Sequence, residues 1–245
     1  MPADRDHRAA SEEAQHTEEV SRMFAQIARR YDILNRLNSF RRDVAWRRFT
    51  ASKLRFGNTN RYLDIATGTG DLAIDVAHAH PSVRVTGLDL VEDLMDIAKY
   101  KTRIEGLDGR IDFVKGNALD LPFDDGTFDV AGIAFGIRNI KDRGHALSEM
   151  ARVVVPGGQV AVLELCYHQS YIIRSLYCMY LSTVVPVVGR LVAGNMDAYS
   201  YLSRSIKNFP APDAFEKLMA ESGLKNVISY PLTLGVAHLF LGTKQ

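Results

Sequence analysis

Two stretches of this 245-residue chain place chemically capable residues where an apolar run ends. The first is Asp64-Ile-Ala-Thr-Gly68-Thr69-Gly70-Asp71. Its glycines let the backbone turn sharply and approach a ligand closely. Asp89 closes the next apolar run, 19 residues after Gly70. A carboxylate there can accept both hydroxyls of a ribose. The second stretch is Ile133-Ala134-Phe135-Gly136-Ile137-Arg138-Asn139-Ile140. It opens as a buried strand and ends in Arg and Asn, poor residues for a core. Gly136 lets the backbone leave the strand. In an open α/β sheet, residues beyond the carboxyl ends of strands face the ligand. Plainer readings stand beside these: a structural turn at Gly68–Gly70, Arg138 pairing with an acid such as Asp142, and Asn139 capping the next helix.

These residues need a scaffold, and alternation along the chain supplies one. Residues 17–54 read as helical, with apolar positions at Val20, Phe24, Ile27, then Ile33, Leu34, Leu37, then Val44, Trp46, Phe49 and Leu54. From Arg61, strand-like runs at 61–66, 83–90, 110–118, 128–135 and 159–165 alternate with helix-like runs at 72–80, 91–106 and 144–155. Pro156-Gly157-Gly158 breaks the last of these helices. Such alternation implies βαβ units and a parallel sheet covered on both faces. A helix near 213–222 precedes two strands, 225–232 and 236–243, joined tightly around 233–235 as antiparallel neighbours. The expected organisation is a flexible tail over 1–16 and a single domain over 17–245. Within that domain, 17–55 form an N-terminal helical cover, and 168–209 form a helical insertion placed to act as a substrate lid.

The glycine loop and Asp89 suit NAD as well as S-adenosylmethionine (SAM). Three features favour SAM. Asp64 sits inside strand one, four residues before Gly68, where dinucleotide sites usually carry an apolar residue. Gly116-Asn117-Ala118 and then Leu121-Pro122-Phe123 follow strand three, at the turn that borders adenine in such folds. The terminal antiparallel pair completes the seven-stranded, mostly parallel sheet of the class I, Rossmann-like methyltransferase fold. SAM is therefore the expected cofactor.

A net charge of +1 gives no ground for a nucleic-acid partner. Hydrophobic content of 47% with 24% charged residues describes a globular protein. Cys166 and Cys178 have neither metal-ligand nor redox spacing, so no metal is expected and a cytoplasmic setting with reduced thiols follows. The polar first residues hold no secretory signal. The uncharged stretch Ser175–Gly189 is too short to span a bilayer and Pro186 interrupts it. Peripheral contact with the inner face of a membrane, and a homodimer, stay open.

One family shares these stretches together. The chain resembles the C-methyltransferases of menaquinone and ubiquinone biosynthesis over roughly residues 20–244. The likeness rests on Tyr31-Asp32-Ile-Leu34-Asn35, Trp46-Arg47-Arg48, Leu63-Asp64 through Asp71, Asn117-Ala118, Phe135-Gly136-Ile137-Arg138-Asn139, Tyr199-Ser-Tyr201-Leu202 and Phe209-Pro210. The resemblance implies a polyprenyl quinol as substrate. It implies SAM held by Asp64, Gly68, Thr69 and Gly70 at the loop, Asp89 and Leu90 at the ribose, Asn117 and Ala118 at the adenine, Ala134 through its backbone, and Tyr31 from above. A quinol ring carbon is a weak nucleophile until a neighbouring hydroxyl loses its proton. Arg138 could stabilise the phenolate, and Asn139 could orient a water or the ring oxygen. His238 and Asp32 are the candidate bases; each has a plainer reading, as a packed histidine and a helix cap. Glu164-Leu165-Cys166-Tyr167-His168 departs from the family's Glu-Phe-Ser-x-Pro, residues 38–43 from its Ser-x-Gly, and His238 stands two places before the usual histidine, now Phe240. These departures leave the quinone class open. Another small aromatic or lipid-like acceptor, or a SAM-binding scaffold role, are the alternatives.

Overall fold

The computed structural model describes residues 2–166 and 197–245. Three helices lead: α1 (Pro2–Ile27), α2 (Tyr31–Asn38) and α3 (Arg42–Lys53). Then follow β1 (Arg61–Ile65), α4 (Asp71–Ala79), β2 (Arg84–Asp89), α5 (Glu92–Ile104), β3 (Ile111–Lys115), β4 (Phe128–Ala134), α6 (Arg143–Val153) and β5 (Val154–Leu165). Helices α7 (Asp197–Lys207) and α8 (Pro212–Glu221) precede β6 (Leu224–Leu232) and β7 (Ala237–Lys244). Most of the segment expected as an insertion, and Cys178 with it, lies outside the described residues.

The strands pair in the order β3-β2-β1-β4-β5-β7-β6. The first five are parallel, and β7 runs antiparallel to both β5 and β6. The order therefore reverses between β1 and β4. That switch point leaves a crevice beyond the strands' carboxyl ends.

Side chains alternate along each strand, and both sheet faces are covered. Leu63, Ile65, Ile133, Val162 and Phe240 pack with Leu147 and Met150 of α6 and Phe215 and Met219 of α8. Tyr62, Val85, Val130, Leu163 and Leu239 pack with Trp46 of α3 and Leu72 and Val76 of α4.

Two local expectations change. Pro156–Gly158 lies within β5 rather than ahead of it, and the pairing with β4 shifts register there. Residues 2–16, which their polarity marks as a tail, are the opening turns of α1. Ala, Glu, Gln and Arg in that stretch are good helix formers. The i,i+4 contacts of Gln15 with Glu19 (3.1 Å) and Arg22 with Glu18 (2.8 Å) add to it further along.

Candidate active site

At the switch point, β1 and β4 each leave the sheet through a non-glycine residue in the left-handed region, Ala66 (φ 50°) and Phe135 (φ 56°). Such conformations cost energy and gather where geometry is functionally constrained. Phe135, not Gly136, thus turns the chain out of β4. Gly136 is needed for space, since a Cβ there would lie 2.9 Å from the Ala66 Cβ. In the loop after β1, Gly68 (φ 56°) and Gly70 (φ 78°) take conformations that favour glycine.

Asp89, at the end of β2, organises this loop. Its Oδ2 accepts from the Gly68 N–H at 2.7 Å and its Oδ1 from the Val91 N–H at 2.9 Å. Burial raises its pKa, and the N–H groups of Val91, Gly68 and Leu90 offset part of that. A carboxylate has about four acceptor sites, so acceptor capacity remains for a ligand.

Asp89 borders a cavity of about 800 Å³, mouth included. Gly68, Leu90, Asn117, Ala118, Ala134, Asn139 and Tyr31 also line it. The Leu119 N–H donates to Asn117 Oδ1 at 3.0 Å, which shapes the turn after β3. One wall was not foreseen as such: Thr17, Val20, Ser21 and Phe24 of α1. Their i, i+3, i+4, i+7 spacing is the signal that could have shown it. His16 adds a 3.2 Å contact to the Asn139 carbonyl, tying α1 to the turn after β4.

Six other expected residues, Asp64, Thr69, Gly70, Asp32, Arg138 and His238, do not line the cavity. Asp64 is 1% exposed and lies under the loop, accepting from Thr67 Oγ1 (2.6 Å) and Tyr62 Oη (3.2 Å). Burial, opposed by these donors, raises its pKa to about 7. Gly70 packs towards Ala98 and Phe113. The Thr69 hydroxyl donates to Asp32 Oδ1 at 2.5 Å. Asp32 also holds Lys101 Nζ at 3.0 Å, and Lys101 reaches on to Asp71. Asp71 meets Arg47 at 3.0 Å, and Arg47 pairs with Asp43 at 2.6 Å. Burial pushes Asp71 up, but Arg47 and Lys101 outweigh it and hold the carboxyl below its usual value. Asp32 is therefore a latch between α2 and the cofactor loop rather than a base facing the cavity. Lys101, unmarked in the sequence, is its other half.

Arg138 is buried, and its acid is Glu164 rather than Asp142. Nη1 donates to Glu164 Oε1 at 2.7 Å, and the Arg138 N–H donates to Oε2 at 3.1 Å. Burial lowers the guanidinium pKa, and Glu164 and Tyr31 more than restore it. Asp142 instead caps α6 by accepting from the His145 N–H at 2.9 Å. Among the described residues, Arg138 Nε and Asn139 Oδ1 are buried without a hydrogen-bond partner. His238 sits on β7 directly opposite Glu164 on β5 and stacks on Phe240 (5.6 Å, 20°). Arg138 and Glu164 thus meet where β4 and β5 end, and His238 is paired opposite Glu164 on β7. No cluster among the described residues is placed to hold a metal.

The comparisons with known proteins agree with this architecture. The model of the ubiE/COQ5 methyltransferase family matches residues 11–244. The chain is 42% identical to the ubiquinone/menaquinone biosynthesis C-methyltransferase UbiE of Geotalea daltonii, over 93% of this chain and 97% of that protein. It is also 42% identical to a demethylmenaquinone methyltransferase of Thermus thermophilus, over 91% of this chain and 100% of that one. Among solved structures, a SAM-dependent methyltransferase of Thermotoga maritima superposes with a TM-score of 0.64 at 19% identity, covering 91% of this chain and 99% of its own. The mitomycin 7-O-methyltransferase MmcR gives 0.62 at 18%, covering 84% and 55%. At those identities the likeness is one of fold. The described geometry and the relatives together make this chain a SAM-dependent methyltransferase of the ubiE/COQ5 family.

Proposed function

We propose that the protein C-methylates a polyprenyl quinol precursor in menaquinone or ubiquinone biosynthesis. The observation that carries this is the Arg138–Asn139 turn. It stands at the carboxyl end of β4 beside the SAM cavity, with a buried donor (Arg138 Nε) and a buried acceptor (Asn139 Oδ1) still unused. Relatives whose names state this chemistry support the reading.

The cavity fits the cofactor. The spare acceptor capacity of Asp89 suits a ribose hydroxyl. Leu90 and Ala118 offer apolar surfaces for a flat adenine, and Tyr31 closes over Gly68. Asp64, Thr69 and Gly70 act from below, by fixing the loop. When bound, SAM supplies an electrophilic methyl on a sulfonium.

The protein's own work is to favour the phenolate and hold the ring in line. Glu164 offsets the charge of Arg138 and fixes its orientation, so Arg138 acts as an aimed donor to the ring oxygen rather than as a free cation. Asn139 Oδ1 accepts from a water or the second hydroxyl. Among the described residues, His238, paired opposite Glu164, is the candidate to receive the proton.

Assay with labelled SAM against demethylmenaquinol and a demethylated benzoquinol tests the reading, with products identified by mass. Transfer to one of them is expected, and Arg138→Ala loses turnover while still binding SAM. Transfer to neither overturns the proposal.

A further inference from the structure

Phe135 leaves β4 in a left-handed conformation that a bulky side chain disfavours. Its backbone is engaged on both sides. The N–H donates to the Leu163 carbonyl of β5 at 2.8 Å, and its own carbonyl accepts from Arg138 Nη1 at 2.5 Å. Arg138 is thus gripped by two acceptors, Glu164 and the Phe135 carbonyl. A change of φ at Phe135 would swing that carbonyl away from the guanidinium. Such conformations persist only where the surroundings over-determine them.

The side chain that bears on Phe135 is Trp46. The two rings lie 6.1 Å apart at 54°, within the range of favourable aromatic pairs. Trp46 is buried on α3, and its Nε1–H donates to Thr233 Oγ1 at 2.9 Å. Thr233 (φ 47°) is left-handed as well, an outlying conformation for a β-branched residue. It opens the 233–235 turn between β6 and β7. Just past that turn, Ala237 pairs with Leu165, the last residue of β5. The turn therefore stands at the sheet end where β4 and β5 finish. Filling the core would not require two disfavoured backbone conformations to meet on one indole.

We infer that Trp46 is a positioning residue for methyl transfer. Braced by Thr233, its ring holds Phe135 in the left-handed turn, and the Phe135 carbonyl together with Glu164 aims Arg138. Neither Trp46 nor Thr233 lines the cavity, so both act through the turn after β4. The inference rests on the proposed function only in giving Arg138 its task with the quinol.

Trp46→Phe keeps a ring and removes the N–H. At a temperature well below unfolding, it should lower kcat at least about tenfold, since small misplacements near the chemistry are costly. KM for the quinol and SAM affinity by calorimetry should stay near wild type, the pattern of an interaction made in the transition state. Hydrogen exchange gives a readout that needs no substrate. The Arg138 N–H, held by Glu164 Oε2 at 3.1 Å, should exchange about tenfold faster in the variant, while amides of β1 keep their rates. Thr233→Val, which keeps the tryptophan, carries the same test should Trp46→Phe not fold. A variant with a lowered Tm but wild-type kcat overturns the inference, because Trp46 would then only fill the core. So does a slowed variant whose Arg138 amide exchanges as in wild type, or one whose SAM affinity falls as far as its rate. Faster exchange at Arg138 in a protein that methylates no quinol leaves the brace intact and sinks the substrate reading; quinol turnover with unchanged exchange does the reverse.

Discussion

Glu164→Gln removes one charge and one acceptor from a fully buried position. Glu164 is 0% exposed and accepts three hydrogen bonds: from Arg138 Nη1 (2.7 Å), the Arg138 N–H (3.1 Å) and the Leu165 N–H (2.8 Å). Glutamine keeps the shape but offers one carbonyl oxygen, and its amide group faces donors. Arg138 is left buried without a counter-charge. Breaking a buried pair from one side costs about 3–5 kcal/mol. For a domain of this size each kcal/mol moves Tm by about 2–4 °C, so a fall of roughly 6–20 °C is expected. Arg138→Met/Glu164→Leu, which removes both charges, recovers much of that loss and still has no turnover. Thermal unfolding by circular dichroism measures the first effect, and single-turnover methyl transfer the second. A fall below about 2 °C for Glu164→Gln, or a double variant as unstable as the sum of the singles, would falsify the claim that this pair holds Arg138.

Three further outcomes follow from the same geometry. Asp64 has its folded pKa raised from 3.8 to about 7. The folded state therefore holds the extra proton across that window, and stability falls as pH rises through it, with a slope approaching 1.4 kcal/mol per pH unit; urea unfolding of Asp64→Asn from acid to neutral pH should lack that slope. Lys101→Met unlatches α2 from Thr69 and should weaken SAM binding about tenfold by calorimetry, whereas unchanged affinity would assign the latch no part in holding the cofactor. Burial raises the Cys166 thiol well above its ordinary pKa, so in a Cys178→Ser background iodoacetamide should modify Cys166 only as fast as the chain unfolds, read by mass.

The sheet was legible because strand and helix periods are local signals. The apolar runs at 61–66, 83–90 and 128–135 became β1, β2 and β4 with ends moved by a residue or two. Strand alternation also placed His238 and Phe240 on one side, where they stack. Partners distant in sequence were hidden. Arg138 looked able to pair with nearby Asp142, but β4 and β5 lie side by side, which brings in Glu164 from 26 residues away. Asp32 looked free to face the cavity because its motif carries no record of Lys101, 69 residues on. An acid closing the apolar run QVAVLEL was the one available hint of Glu164.

The N-terminal cover joins the rest of the molecule differently from the sheet. Apart from the alternating charges from Asp43 to Asp32, α1 and α2 rest on a small cluster of Ala28, Val91 and Leu94, with Phe24 and Tyr31 against it. Elements held this way open with far less free energy than core strands do. Backbone amides of α2 should therefore exchange with solvent long before those of β1 and β4. Cofactor can then enter and leave by local breathing of the cover, with every strand still paired.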